Sequence, residues 1–243
     1  MQEDSISLFI SDIHLSESRN DLVTAFFYFI DKIAPSADQL YILGDLFDFW
    51  AGDDIETPLT LSVAKHLSAL ADRGTEITFI PGNRDFALGR RYAKSAKMEI
   101  APSEIILKQE GILLLHGDEL CIDDHAYQRY KRWIRNPLIL TLLRHLPKRY
   151  RLELAAKIKR KSGQSTARKI MDVNEHYTTQ YFHKRGVSQM IHGHTHRPAI
   201  HHHGNEQYRY VLSDWDITGD YLKLEEGKIT RHQFKIADFQ SLS

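Results

Sequence analysis

Gln39–Phe47, QLYILGDLF, is the stretch on which the fold turns. Its apolar run is too short for a helix and reads as a buried strand, and it ends abruptly in Gly44-Asp45. Ser7–Ile13 (SLFISDI) upstream has the same form, and so does Glu76–Pro81 (EITFIP) downstream. Asp21–Ile33 and Leu59–Arg73 lie between them with apolar residues at helical spacing. This βαβαβ order predicts an α/β fold, a sheet covered by helices. Further apolar runs follow at Ile105–Lys108, Ile112–His116, Val187–His192, Tyr208–Ser213 and Tyr221–Leu224. The last two, with the Glu226-Gly227 turn and Ile229 onward, predict antiparallel pairing. From Asp124 to about Arg185 strand signals give way to helix formers broken at Pro137 and Pro147. The expected organisation is a core of residues 1–123 and 186–243 with a helical insertion, 124–185, over it. His201-His202-His203 reads as a solvated hairpin loop.

The 243 residues suffice for one sizeable domain with such an insertion. Composition is that of a soluble globular chain, 42% hydrophobic and 26% charged. One cysteine, Cys121, excludes an internal disulfide and reads as a small buried apolar residue. No apolar run approaches the ~20 residues of a membrane span, and the acidic start MQEDSISLFI lacks a signal peptide's basic region. A cytoplasmic location is expected. Net charge is zero, yet Tyr127–Lys169 holds fourteen Lys or Arg and a single acid, Glu153. A basic segment on an acidic body points to an anionic surface or ligand.

Five segments place potential metal ligands just after apolar strands: Asp12-Ile13-His14, Gly44-Asp45-Leu46-Phe47-Asp48, Gly82-Asn83-Arg84-Asp85, His116-Gly117-Asp118 and Gly193-His194-Thr195-His196. Strand ends are where α/β sheets gather their sites. Carboxylate, amide and imidazole together suit Mn, Fe or Zn. In Asp-x-His and His-x-His, an extended backbone would put both side chains on one side. The neighbouring glycines allow close backbone approach to ions and phosphate.

This set resembles the calcineurin-like metallophosphoesterase superfamily over essentially the whole chain. The resemblance implies a four-layer αββα sandwich with a helical lid and a dinuclear site. By it, Asp12, His14 and His196 bind one metal, Asn83, His116 and His194 the other, and Asp45 bridges both. It also implies in-line attack by water, with two cations ~3.5–4 Å apart neutralising the developing charge. Asp48, Asp85 and Asp118 then orient ligands or loops, and His192 is a packed histidine.

Many superfamily members carry a histidine at the position of Arg84, credited with protonating the leaving group. An arginine, with a pKa above ~12, cannot, but it can hold a phosphate bidentately. A leaving group that departs unprotonated, such as a phosphate with a second pKa of about 6, fits this site. The segments 41–54, 79–91, 113–124, 170–174 and 191–201 resemble the UDP-2,3-diacylglucosamine diphosphatase family of the lipid A pathway. That narrower resemblance implies attack on the α-phosphorus, release of UMP and 2,3-diacylglucosamine 1-phosphate, two Mn²⁺ per chain, and peripheral attachment to the inner face of the cytoplasmic membrane. Asn83, Arg84 and His194 would contact the phosphate. Asp124, Ser162, Thr166 and Lys169 would hold the rest of the lipid-linked UDP-sugar, although Thr166 stands where the family often has Asn. The apolar stretch from Trp133 to Leu146 would serve as an acyl slot, and its basic surroundings would meet an anionic bilayer. A pyrophosphatase or phosphodiesterase of a soluble nucleotide is the alternative, and a metal-free scaffold of the same fold a more distant one. The aromatics Tyr127, Tyr130, Trp133 and Tyr150 fit amphipathic helices without any nucleic-acid role.

Overall fold

The computed structural model describes residues 5–165, 171–204 and 206–242. The first sheet is built on parallel strands β1 (Ser7–Ile10), β2 (Gln39–Ile42), β3 (Glu76–Phe79) and β4 (Glu99–Ile100). The second contains β5 (Glu104–Leu107), β6 (Ile112–Leu115), β7 (Gln189–His192), β8 (Ala199–His202) and β9 (Tyr208–Val211), in the order β5-β6-β7-β9-β8. The hairpin β10 (Thr218–Glu225) and β11 (Lys228–Lys235) returns to the first sheet, where β10 pairs antiparallel with β1. Glu226 and Gly227 both take positive φ, 50° and 72°, as a two-residue hairpin turn of matching twist requires.

Strand alternation sorts the core into layers. Leu8, Ile10, Leu40, Ile42, Ile77 and Phe79 face α1 (Asn20–Tyr28), α2 (Pro58–Ala71) and α3 (Arg90–Ala96). The alternate residues Phe9, Tyr41 and Leu43 meet Ile112, Leu114 and Ile191 of the second sheet. On that sheet's far side, Leu113, Leu115 and Met190 pack against Tyr181 and Phe182 of the helix at Glu175–Arg185. The result is the αββα sandwich. Preceding that last helix are α4 (His125–Ile134), α5 (Pro137–His145) and α6 (Lys148–Ser165), which makes the helix itself α7. The sequence reading grouped α7 with the insertion, but its buried face joins it to the second sheet.

Other differences have local causes. Tyr208–Ser213 does not pair with Tyr221–Leu224: β9 lies in the second sheet, parallel to β7, and only the β10–β11 hairpin is antiparallel as expected. Helix α3 escapes a sequence reading because its cap is remote. The Asp53 carboxylate accepts from the N–H groups of Gly89, Arg91 and Tyr92 at 2.8–3.2 Å. The Asp21–Ile33 helix is α-helical to Tyr28 and π-helical from Phe29 to Ile33. His201 and His202 belong to β8 rather than to a loop, and the nearly buried His203 accepts from Arg209 Nε at 3.1 Å.

Candidate metal centre

Asp12, Asp45 and Asn83 follow β1, β2 and β3, while His116 and the His194–His196 pair follow β6 and β7. Parallel strands of both sheets therefore discharge their loops onto one edge. Asp12, His14, Asp45, His194 and His196 all have φ between 53° and 66°. Each such left-handed conformation costs a non-glycine residue on the order of 1 kcal/mol. The i and i+2 side chains thus share a side through paired left-handed residues, not through the extended backbone that spacing alone predicts. Hydrogen bonds hold these turns: Asp12 N–H donates to Gly44 O at 3.1 Å and His14 N–H to Asp45 O at 2.9 Å.

The ligand candidates converge. His14 Nε2 lies 3.9 Å from both Asp12 Oδ1 and Asp45 Oδ2, and His196 Nε2 lies 3.4 Å from Asp12 Oδ1. On the other side His116 Nε2 is 3.7 Å from Asp45 Oδ1. Asn83 Oδ1 sits 2.9 Å from both His116 Nε2 and His194 Nδ1. Asp12, His14 and His196 offer ligand atoms within 4.8 Å of one another, as do Asp12, Asp45 and His116. Asp45 turns one oxygen toward His14 and the other toward His116, so its carboxylate spans the two halves.

These residues fit cations. Asp12 Oδ1 and His14 Nδ1 are buried and make no hydrogen bond. His116 Nδ1 must donate to Leu43 O at 2.8 Å, since a carbonyl only accepts. In neutral His116 the Nε2 lone pair then faces the Asn83 oxygen, a contact that a proton or a cation relieves. Burial, with the Asp12 charge adding to it, pushes the Asp45 carboxyl up to about 6. Burial pushes Asp12 upward too, but the His196 imidazole 3.4 Å from it and the charges of His116, His196 and His14 hold it well below the carboxylate range. Burial alone would depress His196, yet Asp12 and Asp214 together raise it to about 10.

In the metal-free protein at pH 7 His196, raised to about 10, keeps its proton, and near pH 6 Asp45 takes one as well. Both must leave before a cation binds, so affinity falls as pH is lowered from 8 to 6. Calorimetric titration in buffers of different ionisation enthalpy should detect proton release on Mn²⁺ binding. Proton-neutral binding would contradict this arrangement.

The supporting shell matches its sequence reading in part. Asp85 is fully buried and accepts from the N–H groups of Asp45, Leu46, Phe47 and Gly82, so one carboxylate fixes two ligand loops. Asp118 accepts from Tyr127 Oη at 2.5 Å and pairs with Lys131 at 2.9 Å and Arg135 at 3.4 Å, tying α4 to the His116 loop. Arg135 also donates to Gly82 O at 2.8 Å. In α6, Arg151 grips Asp54 through both terminal guanidinium nitrogens. His192 is packed, donating from Nδ1 to Gly193 O at 2.8 Å, and burial lowers it to about 3. Cys121 is a buried thiol pushed up to about 12 by burial.

Arg84 stands beside the cluster, its backbone N–H donating to Asp45 Oδ1 at 2.8 Å. Asp124 is engaged as the N-cap of α4, accepting from Tyr127 N–H at 2.9 Å. Ser162 falls within α6, whereas Thr166 and Lys169 lie outside the described residues. Two residues at the site were missed in the sequence. Ser11 Oγ donates to Asp12 Oδ2 at 2.7 Å, and Asp214 lies 3.4 Å from His196 Nδ1. Asp214 follows β9 closely, so the strand-end rule that picked out the other candidates could have picked it out.

The calcineurin-like phosphoesterase family matches residues 7–198, and the chain belongs to it. A UDP-2,3-diacylglucosamine hydrolase of Edwardsiella ictaluri is 46% identical over 90% of this chain and 88% of its own. The protein of the same name from Pasteurella multocida is 45% identical over 92% of this chain and 95% of its own. Within the superfamily the chain groups with these hydrolases, and it is a metal-dependent hydrolase. A solved Vps29 structure from Entamoeba histolytica covers 95% of this chain and 99% of that one at 11% identity, with a TM-score of 0.44.

Proposed function

We propose that the chain hydrolyses the pyrophosphate of UDP-2,3-diacylglucosamine in lipid A biosynthesis, with water attacking the α-phosphorus to release UMP and 2,3-diacylglucosamine 1-phosphate. The observation carrying this reading is a cluster of carboxylates and imidazoles with Arg84 at its edge, next to helices that turn apolar side chains to solvent. The substrate named for the relatives is the one such a combination serves. Asp12, His14, Asp45 and His196 would hold one divalent cation, Mn²⁺ in this reading, and Asp45, Asn83, His116 and His194 a second. When bound, the pair supplies Lewis acidity and an activated water. Arg84 grips the phosphate and leaves the departing sugar phosphate to go as an anion. Asn83 and His194 orient the same phosphate.

The lid, within insertion 124–185, accounts for the lipid. Leu138 is 81% exposed and Leu142, one turn on, 66%, with Trp133 at 59%. Such faces suit acyl chains, and Asp124, Ser162, Thr166 and Lys169 would contact the polar part. The surrounding fourteen basic residues favour a peripheral position on the anionic inner face of the cytoplasmic membrane. Among the described residues no helix is long and apolar enough to cross a membrane. Turnover of UDP-2,3-diacylglucosamine in mixed micelles should exceed that of UDP-N-acetylglucosamine by several orders of magnitude. Comparable rates would remove the lid from the argument and favour a soluble nucleotide substrate.

A further inference from the structure

We propose that Asp214 is a positioning residue for His196, fixing the imidazole so that its Nε2 lone pair is directed at the cation beside Asp12. The inference rests on the reading of His196 as a ligand in a two-cation site. His196 lies between two carboxylates, with Asp214 Oδ2 3.4 Å from Nδ1 and Asp12 Oδ1 3.4 Å from Nε2. A carboxylate accepts and never donates when ionised, so Asp214 claims the Nδ1 proton and leaves Nε2 free to ligate. Outer carboxylates of this kind select the tautomer and orientation of a ligating histidine.

Asp214 is itself held in register. On one side of it, Ser213 N–H donates to the buried Asp220 carboxylate at 2.9 Å. On the other, Trp215 N–H donates to Asp12 O at 3.1 Å and its indole N–H to Asp220 O at 2.9 Å. Trp215 is buried edge-on against Phe26 and Phe29. The loop carrying Asp214 is therefore anchored to the backbone of Asp12, the residue on the far side of the His196 ring. A movement of one is transmitted to the other, so the three groups keep their geometry as a unit. The other Asp214 oxygen accepts from Ser213 Oγ at 3.4 Å, a contact within the same loop.

The test is Mn²⁺ titration of the chelator-stripped full chain, followed by calorimetry and electron paramagnetic resonance. Asp214→Ala should weaken one of two binding steps by about tenfold and spare the other, the lower end of what loss of such a partner costs. Asp214→Asn should recover most of the loss, because its amide oxygen still accepts from Nδ1. The unfolding temperature without metal should stay within about 2 °C in both, as Ser213 and Trp215 keep the loop. Wild-type binding by both variants, while Asp45→Asn binds poorly, overturns the Asp214 role and leaves the site standing. Equal weakening of both steps with lowered stability in both variants also overturns it, in favour of a structural role. Wild-type binding by Asp45→Asn would remove the site reading and this inference with it.

Discussion

Asp45→Asn should lose turnover by more than the roughly 10–100-fold that removal of an outer metal partner costs, and it should stay folded. The amide keeps Asp45's shape and the oxygen that accepts from Arg84 N–H at 2.8 Å. It lacks the charge that spans His14 and His116, 3.9 and 3.7 Å away. Stability should move the other way in the metal-free protein. Burial raises the Asp45 carboxyl to about 6, so at pH 8 its ionised form is penalised on folding and Asn removes that penalty. In EDTA the variant should melt at or above the wild-type temperature. With saturating Mn²⁺ the wild type should gain the larger increment, because a ligand that binds only the native state stabilises it. Near-normal turnover would sink the ligand assignment.

Gly193→Ala should cost nearly as much for a steric reason. A Cβ on Gly193 would overlap Asp12 Oδ2 and Ser11 Oγ, both in the interior. Relief requires Asp12 to turn away, breaking its 2.8 Å hydrogen bond from His194 N–H and displacing a carboxylate common to both ligand groups. A loss of about 1–3 kcal/mol in stability, typical of forced overpacking, should accompany a fall in metal affinity of at least tenfold. Gly186→Ala is the comparison. It lies at φ 65° after α7 with nothing near its Cβ, so it should cost about 1 kcal/mol and leave metal binding untouched. Equal metal affinity in the two alanine variants would refute the close-approach account.

The chemistry-bearing positions were legible because strand ends write themselves twice. An apolar run marks the strand, and Ser-Asp, Gly-Asp, Gly-Asn, His-Gly or Gly-His marks its stop. What the residues could not reveal was conformation. Asp-x-His reads equally as extended or as paired left-handed backbone, and only tertiary hydrogen bonds such as His14 N–H to Asp45 O decide. Sheet membership was ambiguous for the same reason. Tyr208–Val211 and Thr218–Glu225 carry similar patterns, yet one faces β7 and the other β1. Asp214 escaped notice because in the SDWD segment the Asp is followed two residues on by Asp216 and not by a His, and α3 because its cap, Asp53, is 36 residues before Gly89. The glycines were assigned to ion and phosphate approach. Gly82 and Gly193 instead make room for the carboxylates of Asp45 and Asp12.

The most direct test of the proposed reaction is hydrolysis of UDP-2,3-diacylglucosamine by the Mn²⁺-loaded protein in ¹⁸O-water, with both products weighed by mass spectrometry. UMP should carry one ¹⁸O and the sugar phosphate none, as attack on the α-phosphorus requires. Label in 2,3-diacylglucosamine 1-phosphate, or no turnover of this substrate at all, would contradict it.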